Sequence, residues 1–308
     1  MRLGTRGSAL ALAQARWVAE RLGGEEEVEI VTVSTAGDRG ELGEDRSRWV
    51  KELELSLLEG EIDLAVHSAK DVPADLLEGL AVVGVPGRAD PRDALCGASS
   101  IDALERGARV GTSSQRRCAQ LRALRPDLEV VALRGNVDTR LRKLRESHCA
   151  AIVLAQAGLD RLGRGEEAGA ALDLVPAPGQ GTLLLEGRDE DGSAREIASR
   201  ATDAGAARAL TAERALARAL GASCHTPLGA LAERDGAGLR LRAWLGMPDG
   251  SAWMADELTG EEPGALGDEV GRRMLAAGAR DLLGAAERAA GGPAAPPPAA
   301  TPEGQVLG

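Results

Sequence analysis

Short β-rich runs and amphipathic helical stretches take turns along the first two-thirds of this chain, and that alternation leaves few architectures open. Residues 1–5 read as a strand, and Ser8 can cap a helix reaching about Leu22, where Gly23-Gly24 stops it. Residues 28–34 (VEIVTVS) alternate as a strand does, 49–58 read as a helix, and 62–66 (IDLAV) as a buried strand. The rhythm then repeats. Residues 109–111 lead into a helix capped by Ser113 or Ser114, 129–133 form a strand, 136–145 a helix, and 151–155 (AIVLA) another buried strand. Units of this kind build largely parallel sheets covered by helices.

Near residue 205 the pattern changes. A helix over 206–220 ends in a loop, strand-like segments follow near 228–233, 239–245 and 252–257, and a last helix covers 265–288. This describes a small α+β unit with an antiparallel sheet. Residues 290–308 are rich in Pro, Ala and Gly and are expected to form a disordered tail.

With 308 residues, 44% of them hydrophobic and 28% charged, the chain can build several cores. It has no Phe or Tyr, so packing must rest on Leu, Val, Ala and Ile. A formal net charge of −11 argues against a general nucleic-acid surface. No apolar run approaches the ~20 residues of a membrane span. Residues 8–13 are too short and too weakly apolar for the core of a secretion signal. Cys96, Cys118, Cys149 and Cys224 show no C-x-x-C spacing, so the usual zinc and redox motifs are missing. A reducing, cytoplasmic setting and no bound metal are expected.

Basic residues gather where strands hand over to helices. Arg6 precedes Gly7-Ser8, Lys70-Asp71 follows Val66-His67-Ser68-Ala69, Arg116-Arg117 follows Gly111-Thr112-Ser113-Ser114, and Arg134 precedes Gly135-Asn136 with Arg140 one turn on. Open α/β sheets bind ligands beyond the carboxyl ends of their strands. Helix N-termini there present free N–H groups to anions, and arginines clamp carboxylates with two parallel hydrogen bonds. The expected ligand carries several carboxylates or phosphates. Taken singly, each arginine reads first as a solvated surface charge, His67 as structural, and Cys96, Cys118 and Cys149 as small core fillers. Asp71 is an acid in an otherwise basic setting, suited to stabilising positive charge or orienting N–H groups; alone it is also a plain Lys–Asp turn. Cys224 sits in a Gly221-Ala222-Ser223-Cys224-His225-Thr226-Pro227 loop, where a thiol is more available than in a core.

Together these segments resemble the porphobilinogen deaminase family, in order and spacing, to about residue 288. The resemblance is carried by Thr5-Arg6-Gly7-Ser8, Val50-Lys51-Glu52-Leu53-Glu54, Ala65 through Pro73, Asp90-Pro91-Arg92-Asp93-Ala94, the stretches 111–117, 134–141, 157–163 and 176–181, Thr211-Ala212-Glu213-Arg214, and the Cys224 loop. It implies two α/β domains like those of periplasmic binding proteins, with a cleft between them, and a small C-terminal α+β domain. The implied boundaries are 1–86 with 183–203, then 87–182, then 204–289, the chain crossing twice between the first two domains. It implies a dipyrromethane cofactor joined by a thioether to Cys224, Asp71 as the catalytic carboxylate, and porphobilinogen as substrate. Lys70, Ser114, Arg116, Arg117, Arg134 and Arg140 match residues that hold the cofactor's acetate and propionate groups, and Arg6, Ser8 and Arg161 match residues on the substrate side. A monomer is expected.

The implied chemistry suits these residues. Each pyrrole brings two carboxylates, which a ring of arginines offsets. Loss of ammonia from porphobilinogen leaves a cationic azafulvene that Asp71 can stabilise. The chain departs from the family pattern at Arg46-Ser47-Arg48-Trp49, at Asp138, which adds negative charge beside Arg140, and at Ala222-Ser223 and His225-Thr226. Two rival readings remain: an anion-binding protein of the same fold without catalysis, which has no use for Cys224, and a phosphate-transferring enzyme, which would need the Walker lysine that is missing here.

Overall fold

A computed structural model describes residues 1–33, 47–223, 225–290 and 303–307. The first unit contains β1 (Arg2–Arg6), α1 (Ala9–Leu22), β2 (Glu29–Val33), α2 (Ser47–Leu58), β3 (Leu64–Ser68) and β4 (Leu80–Gly84). The chain then crosses to β5 (Asp93–Cys96), β6 (Arg109–Gly111), α3 (Gln115–Leu124), β7 (Glu129–Val131), α4 (Val137–Arg145), β8 (Ala151–Ala155), α5 (Gln156–Arg161) and β9 (Ala170–Leu172). A second crossing brings β10 (Leu183–Arg188) and α6 (Gly192–Ser199) back to the first unit.

The two five-stranded sheets share one plan, with orders β2-β1-β3-β10-β4 and β7-β6-β8-β5-β9. In each, the fourth position is taken by a strand that has just crossed from the other unit, and that strand runs antiparallel to both neighbours. The remaining pairs, β1 with β2 and β3, and β6 with β7 and β8, are parallel. Both faces of each sheet are buried, which explains the continuous apolar runs. Leu183 and Leu185 of β10 enter one core and Leu184 the opposite one, as the two-residue period of a strand requires. Cys96 and Cys149 fill one core of the second sheet, and Cys118 packs against the other.

Helix starts follow local chemistry. Ser8 Oγ accepts from the Ala11 N–H at 3.3 Å, Ser114 Oγ from Arg117 at 3.5 Å, and Asn136 Oδ1 from Thr139 at 2.9 Å. Each satisfies an N–H that the helix itself leaves unpaired. The caps fix the turns that carry Arg6, the 112–114 loop and Arg134.

The third unit consists of α7 (Ala204–Ala219), β11 (Leu228–Asp235), β12 (Gly238–Gly246), β13 (Ala252–Gly260), α8 (Pro263–Ala276), α9 (Ala279–Ala290) and β14 (Glu303–Leu307). Strands β11, β12 and β13 form an antiparallel meander against α7 and α8. The expected disordered tail needs correction at residues 303–307. They form β14, parallel to the edge of β13. That edge offers unpaired backbone groups, and Leu307 adds an apolar contact to the core. Gly304 permits the approach: a Cβ there would lie 2.1 Å from the Trp253 indole, which stacks on Trp244 with centroids 6.2 Å apart.

Candidate active site

The candidate residues converge on the carboxyl ends of the parallel strands. Arg6 ends β1, and the turn from Ala69 to Asp71 follows β3 directly. On the other sheet, the 112–114 loop joins β6 to α3, Arg134 follows β7, and Arg161 ends the short helix after β8. The helices that follow β1 and β8 touch, with Leu10 of α1 beside Gly158 of α5.

The Asp71 turn is held from behind by the second crossing. The Ala69 N–H donates to Thr182 O at 3.0 Å, and Lys70 Nζ to Gln180 Oε1 at 3.4 Å. Gly179 has φ of +74°, and a Cβ on it would stand 2.9 Å from Ala69 Cβ and 3.1 Å from Lys70 N. Only glycine allows the crossing to press this closely on the turn. Gln14 of α1, 4% exposed, donates from its amide to Ser68 Oγ at 2.9 Å just before the turn.

Arg116 and Arg117 are placed differently from open clamps. Both are buried and both surround Asp93, which is fully buried. Arg116 donates to Asp93 at 2.8 and 3.2 Å and to Val175 O at 2.9 Å. Arg117 approaches Asp93 at 2.9 Å through Nε and 2.7 Å through a terminal nitrogen, and donates to Val153 O at 2.9 Å. Burial alone would raise the Asp93 carboxyl, but Arg116 and Arg117 hold it well below the usual carboxylate range. Two guanidiniums thus share this one buried carboxylate.

The other cations sit further out. Arg134 is exposed, and half-buried Arg140 donates from Nε to Gly135 O at 2.8 Å. Half-buried Arg161 donates to Gly181 O at 2.7 Å, and burial pulls its guanidinium down to about 10. Asp138 does not set its charge on Arg140 alone: its carboxylate pairs with Arg164 at 2.8 Å. Half-buried Ser8 caps α1. Cys224 and Arg46 lie outside the described residues.

These groups fit a polycarboxylate covalent cofactor. Ser113 Oγ, at the start of α3, is buried and without a hydrogen-bond partner among the described residues. The half-buried guanidinium of Arg161 would be stabilised further by a bound anion. Among the described residues no cluster of His, Cys, Asp and Glu could hold a metal.

Motif reading assigned no chemistry to Asp93, Gln180, Arg88 or Glu213. Arg88 pairs with buried Glu213 of α7 at 2.6 Å, and Glu213 also accepts from Gly179 N at 2.6 Å and Ala232 N at 2.8 Å. All four lie in or beside segments already singled out by resemblance; the missing signal was that a polar residue inside an apolar crossing must be satisfied there. Asp93→Asn is expected to lower stability by about 3–5 kcal/mol, since two buried cations lose their anion. The Asp93 carboxyl is depressed in the fold, so its contribution is complete above its unfolded value of about 3.9 and fades as pH falls through the folded one. Urea midpoints of parent and variant should therefore differ fully at neutral pH and converge only in strong acid. Equal midpoints at pH 7 would refute the assignment.

Residues 1–196 match the family described as porphobilinogen deaminase, dipyromethane cofactor binding domain. Residues 207–276 match porphobilinogen deaminase, C-terminal domain. The porphobilinogen deaminase of Rubrobacter xylanophilus is 46% identical over 293 residues, covering 92% of this chain and 96% of that protein. That of Thermus thermophilus is 47% identical over 293 residues, covering 91% and 97%. Among solved structures, the methionine binding protein MetQ aligns with 65% of this chain and 89% of its own at a TM-score of 0.43 and 15% identity.

Proposed function

The chain belongs to the porphobilinogen deaminase family, and we propose that Asp71 and Cys224 carry its chemistry. As a hydroxymethylbilane synthase it condenses four porphobilinogen molecules, with loss of ammonia, and releases the linear tetrapyrrole by hydrolysis. When bound, the dipyrromethane would supply the free pyrrole carbon that primes the chain. The protein's part is to bind carboxylates, hold the reacting carbon and balance charge.

The placement of Lys70-Asp71 at a strand end, linked through Gln180 to the Asp93 carboxylate that gathers Arg116 and Arg117, is the observation that supports this reading most. In our reading, Asp71 accepts pyrrole N–H bonds and offsets the positive charge that develops as ammonia leaves. Lys70, Ser114, Arg134 and Arg140 bind the cofactor's carboxylates. Arg6, Ser8 and Arg161 bind those of the incoming substrate. Arg116 and Arg117, gathered on Asp93, contribute their field beside the site. Cys224 anchors the growing chain, so that each addition becomes an intramolecular step. Arg116, Arg117 and Arg140 should bear on cofactor assembly, and Arg6 and Arg161 on later elongation.

We read the enzyme as a cytoplasmic monomer. Among the described residues no helix is long and apolar enough to cross a membrane, and Cys96, Cys118 and Cys149 are free thiols. Intact mass tests the function directly. The purified protein should be heavier than its sequence by a two-pyrrole unit and should gain further single units after limiting porphobilinogen. A protein at its sequence mass that leaves porphobilinogen unconsumed would overturn the proposal.

A further inference from the structure

We propose that Gln180 is a positioning residue that fixes Lys70, and with it the Asp71 turn, against the arginine pair of α3. The inference rests on the functional reading above. Gln180 lies in the second crossing and is 1% exposed. Its amide nitrogen donates to Pro91 O at 2.7 Å and to Asp93 Oδ1 at 2.8 Å. Its amide oxygen accepts from Lys70 Nζ at 3.4 Å. One neutral side chain thus touches the carboxylate that gathers Arg116 and Arg117 and the ammonium next to Asp71. An amide suits this place because it carries a donor and an acceptor side by side, and can face an anion and a cation at once. Glutamate would set a second buried negative charge against Asp93. Methionine would fill the volume and serve neither neighbour.

The backbone around Gln180 points the same way. The two crossings are zipped together: Ala89 N donates to Gly181 O at 3.1 Å, and Arg88 Nε to Gln180 O at 2.9 Å. Arg161 donates to Gly181 O, so a cation from the second sheet is held by the same turn. In two-unit folds, relative motion is absorbed by the connecting segments. Any such rotation here would pull Lys70 away from the Asp93 corner, and the Gln180 amide resists it. The cations from the two sheets therefore keep one spacing while successive carboxylates arrive.

Gln180→Met tests this, with Thr202→Val as the control. Thr202 secures the first crossing through Val85 N at 3.3 Å and lies outside the cation set. With matched folded protein, Gln180→Met is expected to lower kcat for porphobilinogen roughly tenfold, the size of one charge-assisted hydrogen bond, with KM changed much less, because the turn it loosens carries Asp71. Thr202→Val should lose stability but keep its kcat. In a Lys70→Met background, the effect of Gln180→Met on kcat should largely vanish, because Gln180 acts through Lys70. Amide hydrogen exchange, read without substrate, should quicken over residues 69–72 in Gln180→Met and not in Thr202→Val. A folded Gln180→Met with parental kcat and parental exchange overturns the inference, as does an equal fall of kcat in Thr202→Val. If Gln180→Met does not fold, Gln180→Asn, one methylene short, must show the same fall in kcat, and a parental value there overturns it equally. Inactivity of the parent itself would refute the functional reading instead, and the exchange comparison would still judge the hinge.

Discussion

Asp71→Asn is expected to yield a folded protein that still carries its covalent adduct while kcat falls roughly 100- to 1,000-fold. The substitution keeps the shape of the side chain and removes its charge. If Asp71 acts by offsetting positive charge that appears only as ammonia leaves, substrate binding should change little and the loss should fall on turnover. The surrounding turn should survive, because its restraints come from Thr182 O, Gln180 and the close approach of Gly179. Single-turnover kinetics with intact-mass control of the adduct reads both halves. A near-parental kcat would remove Asp71 from the chemistry.

Cys224→Ser should abolish the adduct altogether and with it all turnover, while the far-ultraviolet dichroism stays parental. The other thiols are poor substitutes. Burial pushes the Cys96 thiol up to about 11 and also raises those of Cys118 and Cys149. The thiolate is the nucleophile, so these three stay protonated at neutral pH, and Cys96 and Cys149 are buried as well. Peptide mapping of the parent should place the added mass on the peptide containing Cys224. Finding it on Cys96, Cys118 or Cys149 would overturn the assignment.

Much of the fold was legible because the periodicities are strong. The runs at 62–66 and 151–155 became β3 and β8, and Ser8, Ser114 and Asn136 cap the helices they precede. Short antiparallel strands were harder to see. Asp93–Cys96 and Ala170–Leu172 carry no alternation of their own, since their character depends on which strands they join after the crossing. At the tail, composition pointed to disorder, while strand β14 depends on a distant edge and on the indole under Gly304. In the site, residue type located the cations, yet it could not tell an arginine aimed at a ligand from one aimed at Asp93. That distinction rests on a carboxylate more than twenty residues away in sequence.

The insertion of β10 between β3 and β4 has a consequence for biosynthesis. Both flanking strands leave the ribosome long before β10 is translated, and until then they cannot be joined as the finished sheet requires. Translation proceeds at about 5–20 residues per second, so the nascent first unit waits with its central slot open while the second unit is made. In that interval β3 and β4 present unpaired backbone and the leucine-rich faces that Leu183, Leu184 and Leu185 will later cover. The second sheet waits less, because β8 and β9 follow β5 sooner than β10 follows β3 and β4. The middle of the gene product can thus mature before its beginning, whose sheet closes only once residue 188 has emerged.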